Sequence, residues 1–266
     1  MSERQFCRTE VDGRILTVTL AREEVRNALS QDASWELGEV FDEFDRNPDL
    51  WIAILTGSGD KAFCAGADLK GGMDRSRAPV PPTGFGGMVA RFDRLKPVIA
   101  AVNGQAMGGG FELALACDVI VAADSATFGL TEPRVGLAAL GGGIQRLIRE
   151  IGSKRAMAML LTARKITASQ ALDLGLVNEI APAGDVLAAA RRWAEEILEC
   201  SPNSVIATKA VANALDGRSL AASMGDMFEL PEVRRLLTGP DAREGPKAFA
   251  EKRPAVWSNP EGARPE

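Results

Sequence analysis

The chain has 266 residues, of which 46% are apolar and 25% charged, and it contains neither histidine nor tyrosine. These absences exclude a Ser-His-Asp triad, a Cys-His pair and a His-based zinc motif, so any proton transfer falls to carboxylates, lysine, cysteine, water or the backbone. A net charge of −5, from 31 basic and 36 acidic residues, argues against nucleic acid as a main partner.

The chain length is near the upper limit for one hydrophobic core, which predicts a large domain with a smaller appended part. The four cysteines are far apart and form no CxxC pair, a pattern typical of reduced thiols. The N-terminus has mixed charge, and no stretch is long and apolar enough to cross a bilayer. We therefore expect a cytoplasmic protein with no membrane association and no metal site.

The first elements predict a β-α-β order. Residues 5–20 have the pattern of a hairpin, with a tight turn at Asp12-Gly13. Ser30 is a predicted N-cap for a helix that carries apolar residues at helical spacing and ends at Asn47-Pro48. Residues 51–56 form a short apolar run typical of a buried strand.

The middle of the chain continues this alternation. Strands are predicted at residues 98–102 and 119–122, and helical stretches at residues 88–95 and 111–117 precede them. Alternating strands and helices predict an α/β core with parallel pairing. Residues 71–87 are rich in Gly, Pro and Arg, which predicts a mobile loop.

Beyond about residue 145 the pattern is mostly helical. Thr167 is a predicted cap for a helix that ends at Gly175. Further helices are predicted at 185–200, 204–215, in the 220s to 230s, and at 241–253. Their apolar faces are expected to pack against the core or against another subunit.

Glycine is concentrated in one third of the chain, which is where we expect the functional site. Seventeen of the 27 glycines lie between Gly57 and Gly143. Residues 57–62 match a GxGxxA variant of the dinucleotide motif, but no long helix follows, so a simple turn is favoured. The sequence contains no GxxxxGK[ST] phosphate loop.

Three motifs in this region have the chemistry of a site. Gly108 to Gly110 lead into a helix-forming run, so bare backbone N–H groups lie where the helix dipole favours a developing oxyanion. Glu112 in the first turn has either a catalytic role or a dipole-stabilising one. The Gly66 turn supplies either a second N–H donor or a tight turn capped by Asp68. Glu132, taken alone, is better explained as an exposed loop acid.

Together the motifs resemble the enoyl-CoA hydratase/isomerase, or crotonase, family along nearly the whole chain. The motifs are Arg26-Asn-Ala-Leu29, Lys61 to Leu69, Pro97 to Gly104, Gly108 to Asp118, Phe128 to Glu132, Gly142 to Leu147 and Ala248 to Arg253. The resemblance implies an α/β fold, a crotonase-like spiral of ββα units with a C-terminal helical oligomerisation region. Residues 1–200 would form the spiral core with the active site. Residues 201–266 would pack and mediate a homotrimer or a dimer of trimers.

The resemblance also implies the chemistry. An acyl-CoA thioester would be bound with its carbonyl oxygen between the backbone N–H groups of Ala67 and Gly109. Glu112 would activate water for attack on C3 of a 2-enoyl-CoA, and Glu132 would deliver a proton to C2. No cofactor is implied, because the substrate itself carries coenzyme A.

Contacts to the CoA moiety are implied at positions outside this centre. Those from the same subunit are Arg26, Ala28, Lys61, Ala65, Asp68, Leu69 and Lys70. Phe249 and Lys252 match residues that contact CoA from a neighbouring subunit.

The chain departs from the family pattern at one point near the implied water position. Hydratases usually have Pro-Gly where this sequence has Ala139-Leu140, which predicts a more apolar wall. The leading prediction is enoyl-CoA hydration, and an enoyl-CoA isomerase or a carnitinyl-CoA dehydratase is the alternative. A non-catalytic acyl-CoA or RNA binder is disfavoured by the two retained glutamates and by the acidic charge balance.

Overall fold

The computed structural model describes residues 4–70, 74, 76–214 and 217–260. Within these residues the strands are β1 Cys7–Asp12, β2 Ile15–Leu20, β3 Ile52–Gly57, β4 Ala62–Cys64, β5 Val98–Val102, β6 Gln105–Met107, β7 Val119–Ala123, β8 Thr127–Gly129, β9 Ile166–Thr167 and β10 Glu179–Ala181. The α-helices are α1 Gln31–Arg46, α2 Gly109–Leu115, α3 Gly143–Ile151, α4 Ser153–Thr162, α5 Ala168–Asp173, α6 Val186–Leu198, α7 Pro202–Ala214, α8 Leu220–Asp226, α9 Pro231–Thr238 and α10 Asp241–Glu251.

The strands form two sheets. The larger sheet has the order β1-β2-β3-β5-β7-β10, and only its first pair, β1 with β2, is antiparallel. The smaller sheet has the order β4-β6-β8-β9, with β4, β6 and β8 parallel and β9 antiparallel. The predicted parallel α/β core is therefore confirmed.

The chain winds between the two sheets as a spiral. Strands β3, β5 and β7 add in turn to the larger sheet, and the strands that follow them, β4, β6 and β8, add in turn to the smaller one. Helix α2 follows β6 directly, and its first residues lie beside β4. Each turn of the spiral thus ends in a connection at the same edge, and these connections build the site described below.

Local sequence signals account for most of these elements. Gly13 occupies the left-handed region, with a φ of 56°, in the turn between β1 and β2. The Ser30 hydroxyl accepts a hydrogen bond from the Ala33 N–H and begins α1. Thr167 and Gln170 form a reciprocal capping box at the start of α5. The predicted hairpin and both predicted helix starts are confirmed.

The helix predicted at residues 88–95 is wrong, because tertiary packing overrides the apolar spacing. A 3-10 turn at Phe85–Gly87 leads into irregular turns instead. A Cβ atom at Gly87 would lie 2.2 Å from the Gly38 nitrogen, so this segment packs backbone to backbone against α1. The buried Arg91 guanidinium then donates to the carbonyl oxygens of Gly38 and Gly87, which fixes the irregular path.

The C-terminal third is helical, as predicted, from α6 to α10. Parts of two predicted segments, residues 71–73 and 75 of the loop and residue 215 of a helix, lie outside the described residues. Among the helices that the structure describes, none has the length and apolar character needed to cross a membrane.

Asp241 fastens the C-terminal segment to the start of α7, and its loss is expected to destabilise the protein. The buried carboxylate accepts hydrogen bonds from Ser201, Asn203 and both the N–H and the hydroxyl of Ser258. Although burial opposes ionisation, these hydrogen bonds keep the pKa of Asp241 below its ordinary value. We expect Asp241→Ala to lower the free energy of unfolding by about 1–3 kcal/mol in urea titrations at pH 7.

The pH dependence of that effect has a definite sign. Because the folded pKa is lowered, the stabilisation is present above the unfolded pKa of an aspartate and is lost as pH falls through the folded pKa. The difference in stability between the wild type and Asp241→Ala should therefore shrink in acid. A difference that stays constant down to pH 2 would contradict the assigned role.

Candidate active site

A cavity of about 1110 Å³ opens beside the connections that follow β4, β6 and β8. Its walls include Ala67, Gly109, Glu112 and Glu132. The fold therefore brings together four residues that lie up to 65 positions apart in the sequence.

The first backbone donor is fixed by a turn after β4. Gly66 has a φ of 94°, which favours glycine, and its carbonyl oxygen accepts the Leu29 N–H at 2.9 Å. The Asp68 N–H donates to the Leu29 carbonyl oxygen, also at 2.9 Å. These two hydrogen bonds, one on either side of Ala67, fix its position, and neither of them uses the Ala67 N–H.

The second backbone donor lies against the first. A Cβ atom at Gly66 would lie only 3.2 Å from the nitrogen of Gly109, the first residue of α2. A Cβ atom at Gly110 would lie 2.1 Å from the Cys64 carbonyl oxygen, so glycine is required for this close approach. The glycine-rich entry to α2 therefore places the Gly109 N–H beside the Ala67 turn.

Both N–H groups are available to a ligand. Among the described residues, neither the Ala67 N–H nor the Gly109 N–H donates to a protein acceptor. Backbone N–H groups are almost always paired unless they face water or a ligand. Two adjacent free donors have the arrangement that stabilises an oxyanion.

Glu112 lies in the first turn of α2, and its side chain is 5% exposed. The carboxylate Oε1 accepts the Gly143 N–H at 2.9 Å. Burial raises the pKa of Glu112 above its ordinary value and the nearby Glu132 adds to the rise, although the Gly143 N–H opposes it. The raised pKa makes this carboxylate a stronger base than an exposed glutamate.

Glu132 begins a short 3-10 turn, Glu132–Val135, and it is not the exposed loop acid that its local sequence favoured. Both carboxylate oxygens are buried and have no hydrogen-bond partner among the described residues. Burial raises the pKa of Glu132, so the protonated form is favoured more than in water. An unpaired buried carboxyl on a cavity wall is the mark of a group that meets a ligand.

The sequence-based prediction missed the glycines that support Glu112. The sequence places Gly142 and Gly143 in one of the family motifs and assigns no role to Gly141, yet a Cβ atom at Gly141 would lie 2.5 Å from Glu112 Oε2. The Gly143 N–H bond to Glu112 joins positions 31 residues apart, which no local pattern reveals. Leu140 lines the cavity with a 79% exposed side chain, so the departure from Pro-Gly adds an apolar surface there.

Only some of the residues implied in CoA binding line the cavity. Ala65 and Leu69 line the cavity together with the Ala67 turn. The other predicted CoA contacts do not line it; they are Arg26, Ala28, Lys61, Asp68, Lys70, Phe249 and Lys252. Asp68 instead pairs with Arg22 at 2.9 Å.

Several of these residues nevertheless lie near the turn that carries Ala67. Arg26 has a φ of 54°, and its carbonyl oxygen accepts the Ala65 N–H at 3.0 Å. Phe249 lies on α10 with 88% of its surface exposed.

Within the described part of the chain, no group of three or more Cys, Asp or Glu side chains could hold a metal ion.

Comparisons with known proteins agree with this geometry. A family model described as enoyl-CoA hydratase/isomerase matches residues 10–260. A carnitinyl-CoA dehydratase of Citrobacter koseri is 41% identical over 252 residues, which cover 92% of this chain and 95% of that protein.

Solved structures give the same result. The structure of an enoyl-CoA hydratase from Mycobacterium marinum superposes with a TM-score of 0.89 at 39% identity, covering 95% of this chain and 98% of that one. A carnitinyl-CoA hydratase from Mycobacterium avium is 43% identical with a TM-score of 0.76, covering 96% and 99%. The expected resemblance is confirmed, and the chain belongs to the enoyl-CoA hydratase/isomerase family.

Proposed function

We propose that the protein adds water across the 2,3 double bond of a 2-enoyl-CoA to give a 3-hydroxyacyl-CoA. The observation that carries this proposal is the pair of buried carboxyl groups, Glu112 and Glu132, on the same cavity as two unused backbone N–H donors. Relatives named as hydratases and dehydratases support it. The direct test is the loss of the conjugated enoyl absorbance when the purified protein is mixed with crotonyl-CoA, and no loss with any short enoyl-CoA would overturn the proposal.

The proposed mechanism uses each group once. The thioester oxygen accepts hydrogen bonds from the Ala67 and Gly109 N–H groups, which stabilise the enolate formed during addition. Glu112 takes a proton from water as the water oxygen bonds to C3, and the electron pair of the double bond moves to the thioester. Glu132 then donates its proton to C2. After the product leaves, Glu112 loses the proton that it took from water and Glu132 regains one, both by exchange with solvent.

The charge state of the pair supports this division of roles. The charge of Glu132 raises the pKa of Glu112, so the two carboxyl groups tend to share one proton, and one acts as a base while the other acts as an acid. The Gly143 N–H bonds to Glu112 and stabilises its charged form, whereas no other residue in the described part of the chain bonds to the Glu132 oxygens. Glu112 is therefore the better base and Glu132 the better acid.

The pH profile tests this assignment. Because burial raises the pKa of both groups, we expect a bell-shaped profile of kcat/KM whose acid limb lies above the ordinary pKa of a glutamate. Activity should rise as Glu112 ionises and fall as Glu132 loses its proton. An acid limb at the pKa of an exposed glutamate would contradict the buried pair.

The CoA moiety is proposed to leave the cavity past Ala65 and Leu69 towards Arg26, Ala28, Lys61, Asp68 and Lys70. No cofactor is required by the scheme, because the thioester supplies the electron-accepting carbonyl. The exposed Phe249 and Lys252 are proposed to contact CoA bound to a neighbouring subunit, within a homotrimer or a dimer of trimers.

The surface of the C-terminal helices supports such an assembly. Large apolar side chains are exposed there, namely Leu220, Met224, Phe228, Leu237 and Phe249. We expect light scattering at micromolar concentration to give three or six times the chain mass of 28.2 kDa. A monomer would overturn both the assembly and the contacts proposed for Phe249 and Lys252.

Carnitinyl-CoA dehydration is the second candidate, because relatives with that name are 39–41% identical over 92% of this chain. Dehydration of a 3-hydroxyacyl-CoA is the reverse of hydration and would use the same two carboxyl groups. Parallel assays with crotonyl-CoA, a 3-enoyl-CoA and carnitinyl-CoA separate hydration, isomerisation and carnitinyl-CoA dehydration.

A further inference from the structure

The cavity extends well beyond Glu112, along the side of α2. Glu112 and Gly109 lie at the N-terminal end of this helix, whereas Leu115, Ala116 and Asp118 line the cavity at its other end. At a rise of 1.5 Å per residue, Ala116 lies about 10 Å from Gly109 along the helix axis. An acyl chain whose carbonyl group is held at Gly109 would therefore run towards the C-terminal end of α2.

That far end is lined by more cations than carboxylates. Arg94 and Lys209 both contact Asp118, at 3.2 Å and 2.7 Å. Arg146 bonds to two neutral carbonyl oxygens, those of Val89 and Gly141. Arg146 also attracts Glu112, so the three cations face two carboxylates and keep a net positive charge.

The remaining charged residues on the wall do not remove this charge. Arg149 and Glu150, which also line the cavity, have opposite signs. Arg91 is paired with Asp42 and Asp45. Glu112 and Glu132 face the reacting carbons in the proposed function, and of the three cations Arg146 is the one that interacts with Glu112.

The cations at the far end are also poorly solvated. Arg94 is 6% exposed, and its Nε atom is buried with no partner among the described residues. Burial, together with repulsion from Arg94, lowers the pKa of Lys209 to about 8. The same two causes lower the pKa of Arg146. Buried cations are stabilised when an anion binds beside them.

We propose that this far end binds a carboxylate at the end of the acyl group, so that the preferred substrate is a CoA monothioester of an unsaturated dicarboxylic acid. This inference rests on the proposed hydration and adds its substrate class. Arg94, Arg146 and Lys209 would supply the charge-assisted hydrogen bonds. A quaternary ammonium group, as in carnitinyl-CoA, would meet like charge at the same place and bind weakly.

The experiment compares 2-enoyl-CoA substrates of equal length that end in a carboxylate, a methyl group or a trimethylammonium group, over a series of chain lengths. For the length that reaches the far end, we expect kcat/KM for the carboxylate to exceed that for the methyl group by about tenfold or more, and the trimethylammonium compound to be poorest. Hydration of the methyl substrate with no preference for the carboxylate would overturn the inference and leave the proposed function intact.

Substitutions of Lys209 test whether the far end of the cavity causes the preference for a carboxylate. Lys209→Met is expected to lower the carboxylate-to-methyl ratio about tenfold, and Lys209→Arg, which keeps the charge, should retain most of it. Lys154→Met, which removes an exposed lysine on α4, is the matched control and should keep the wild-type ratio. An unchanged ratio in a folded Lys209→Met protein would also overturn the inference.

A binding measurement keeps the test independent of turnover. Calorimetry with saturated acyl-CoA analogues should show tighter binding of the carboxylate-ended compound than of the methyl-ended one, with an advantage that falls as salt is raised. If no enoyl-CoA is hydrated, the proposed hydration fails, and this comparison alone decides whether the far end prefers an anion. Equal binding of the two analogues would overturn the preference.

Discussion

Glu132→Gln should lower kcat for hydration by about 10²- to 10⁴-fold, because an amide cannot supply the proton that C2 requires. Glu112→Gln should have an effect of the same order, since an amide cannot accept a proton from water. Steady-state kinetics on crotonyl-CoA would measure both. Near-normal turnover in either variant would contradict the mechanism with two carboxyl groups.

Stability separates a catalytic role of Glu132 from a structural one. Its buried oxygens have no partner among the described residues, so a neutral amide should leave the free energy of unfolding unchanged or raise it. A catalytic group is thus expected to lose activity without losing stability. Glu195→Gln, an exposed glutamate on α6, is the control and should change neither quantity.

Gly141→Ala should lower kcat by about 10²-fold, because the added methyl group would displace the carboxylate of Glu112. A Cβ atom at this position would lie 2.5 Å from Glu112 Oε2, much closer than real contacts allow. Gly141 is not among the residues with positive φ, so alanine fits the backbone, and the side-chain collision is the expected cause.

Gly184 provides a matched control for the effect predicted for Gly141→Ala. A Cβ atom at Gly184 would meet nothing within 4 Å, and that residue also lacks a positive φ. Gly184→Ala should therefore retain wild-type kinetics. If Gly141→Ala also retained the wild-type kcat and an unaltered acid limb in its pH profile, the position of the Glu112 carboxylate would not depend on Gly141.

Much of the fold was predictable because its signals are local. The Asp12-Gly13 turn, the Ser30 cap and the apolar runs of β3 and β5 each specify one element from neighbouring residues. The segment at residues 88–95 was not predictable in this way. Its path depends on contacts of Gly87 and Arg91 with α1, which lie about fifty positions earlier in the chain.

The candidate site likewise has features with a local sequence pattern and features that depend on distant contacts. The glycine-rich turns at Gly66 and Gly108 have local patterns, and their donors were predicted from the sequence. Glu132, in contrast, resembles a loop acid until the fold buries it beside Gly108, where a Cβ atom would lie 3.3 Å from its Oε1. The surplus of cations at the far end of the cavity joins residues from three separate segments, so no single motif reveals it.

Helix α2 carries both the Gly109 donor and the Glu112 carboxylate, three residues apart. The backbone separation of the two residues is therefore fixed by the helical repeat, at a rise of about 4.5 Å, and Gly141 and Gly143 then position the carboxylate. Substitutions near Lys209, at the other end of the cavity, can alter which acyl group fits without altering how water is added. A chain of this fold can thus diversify its substrates while a single helical turn conserves its reaction.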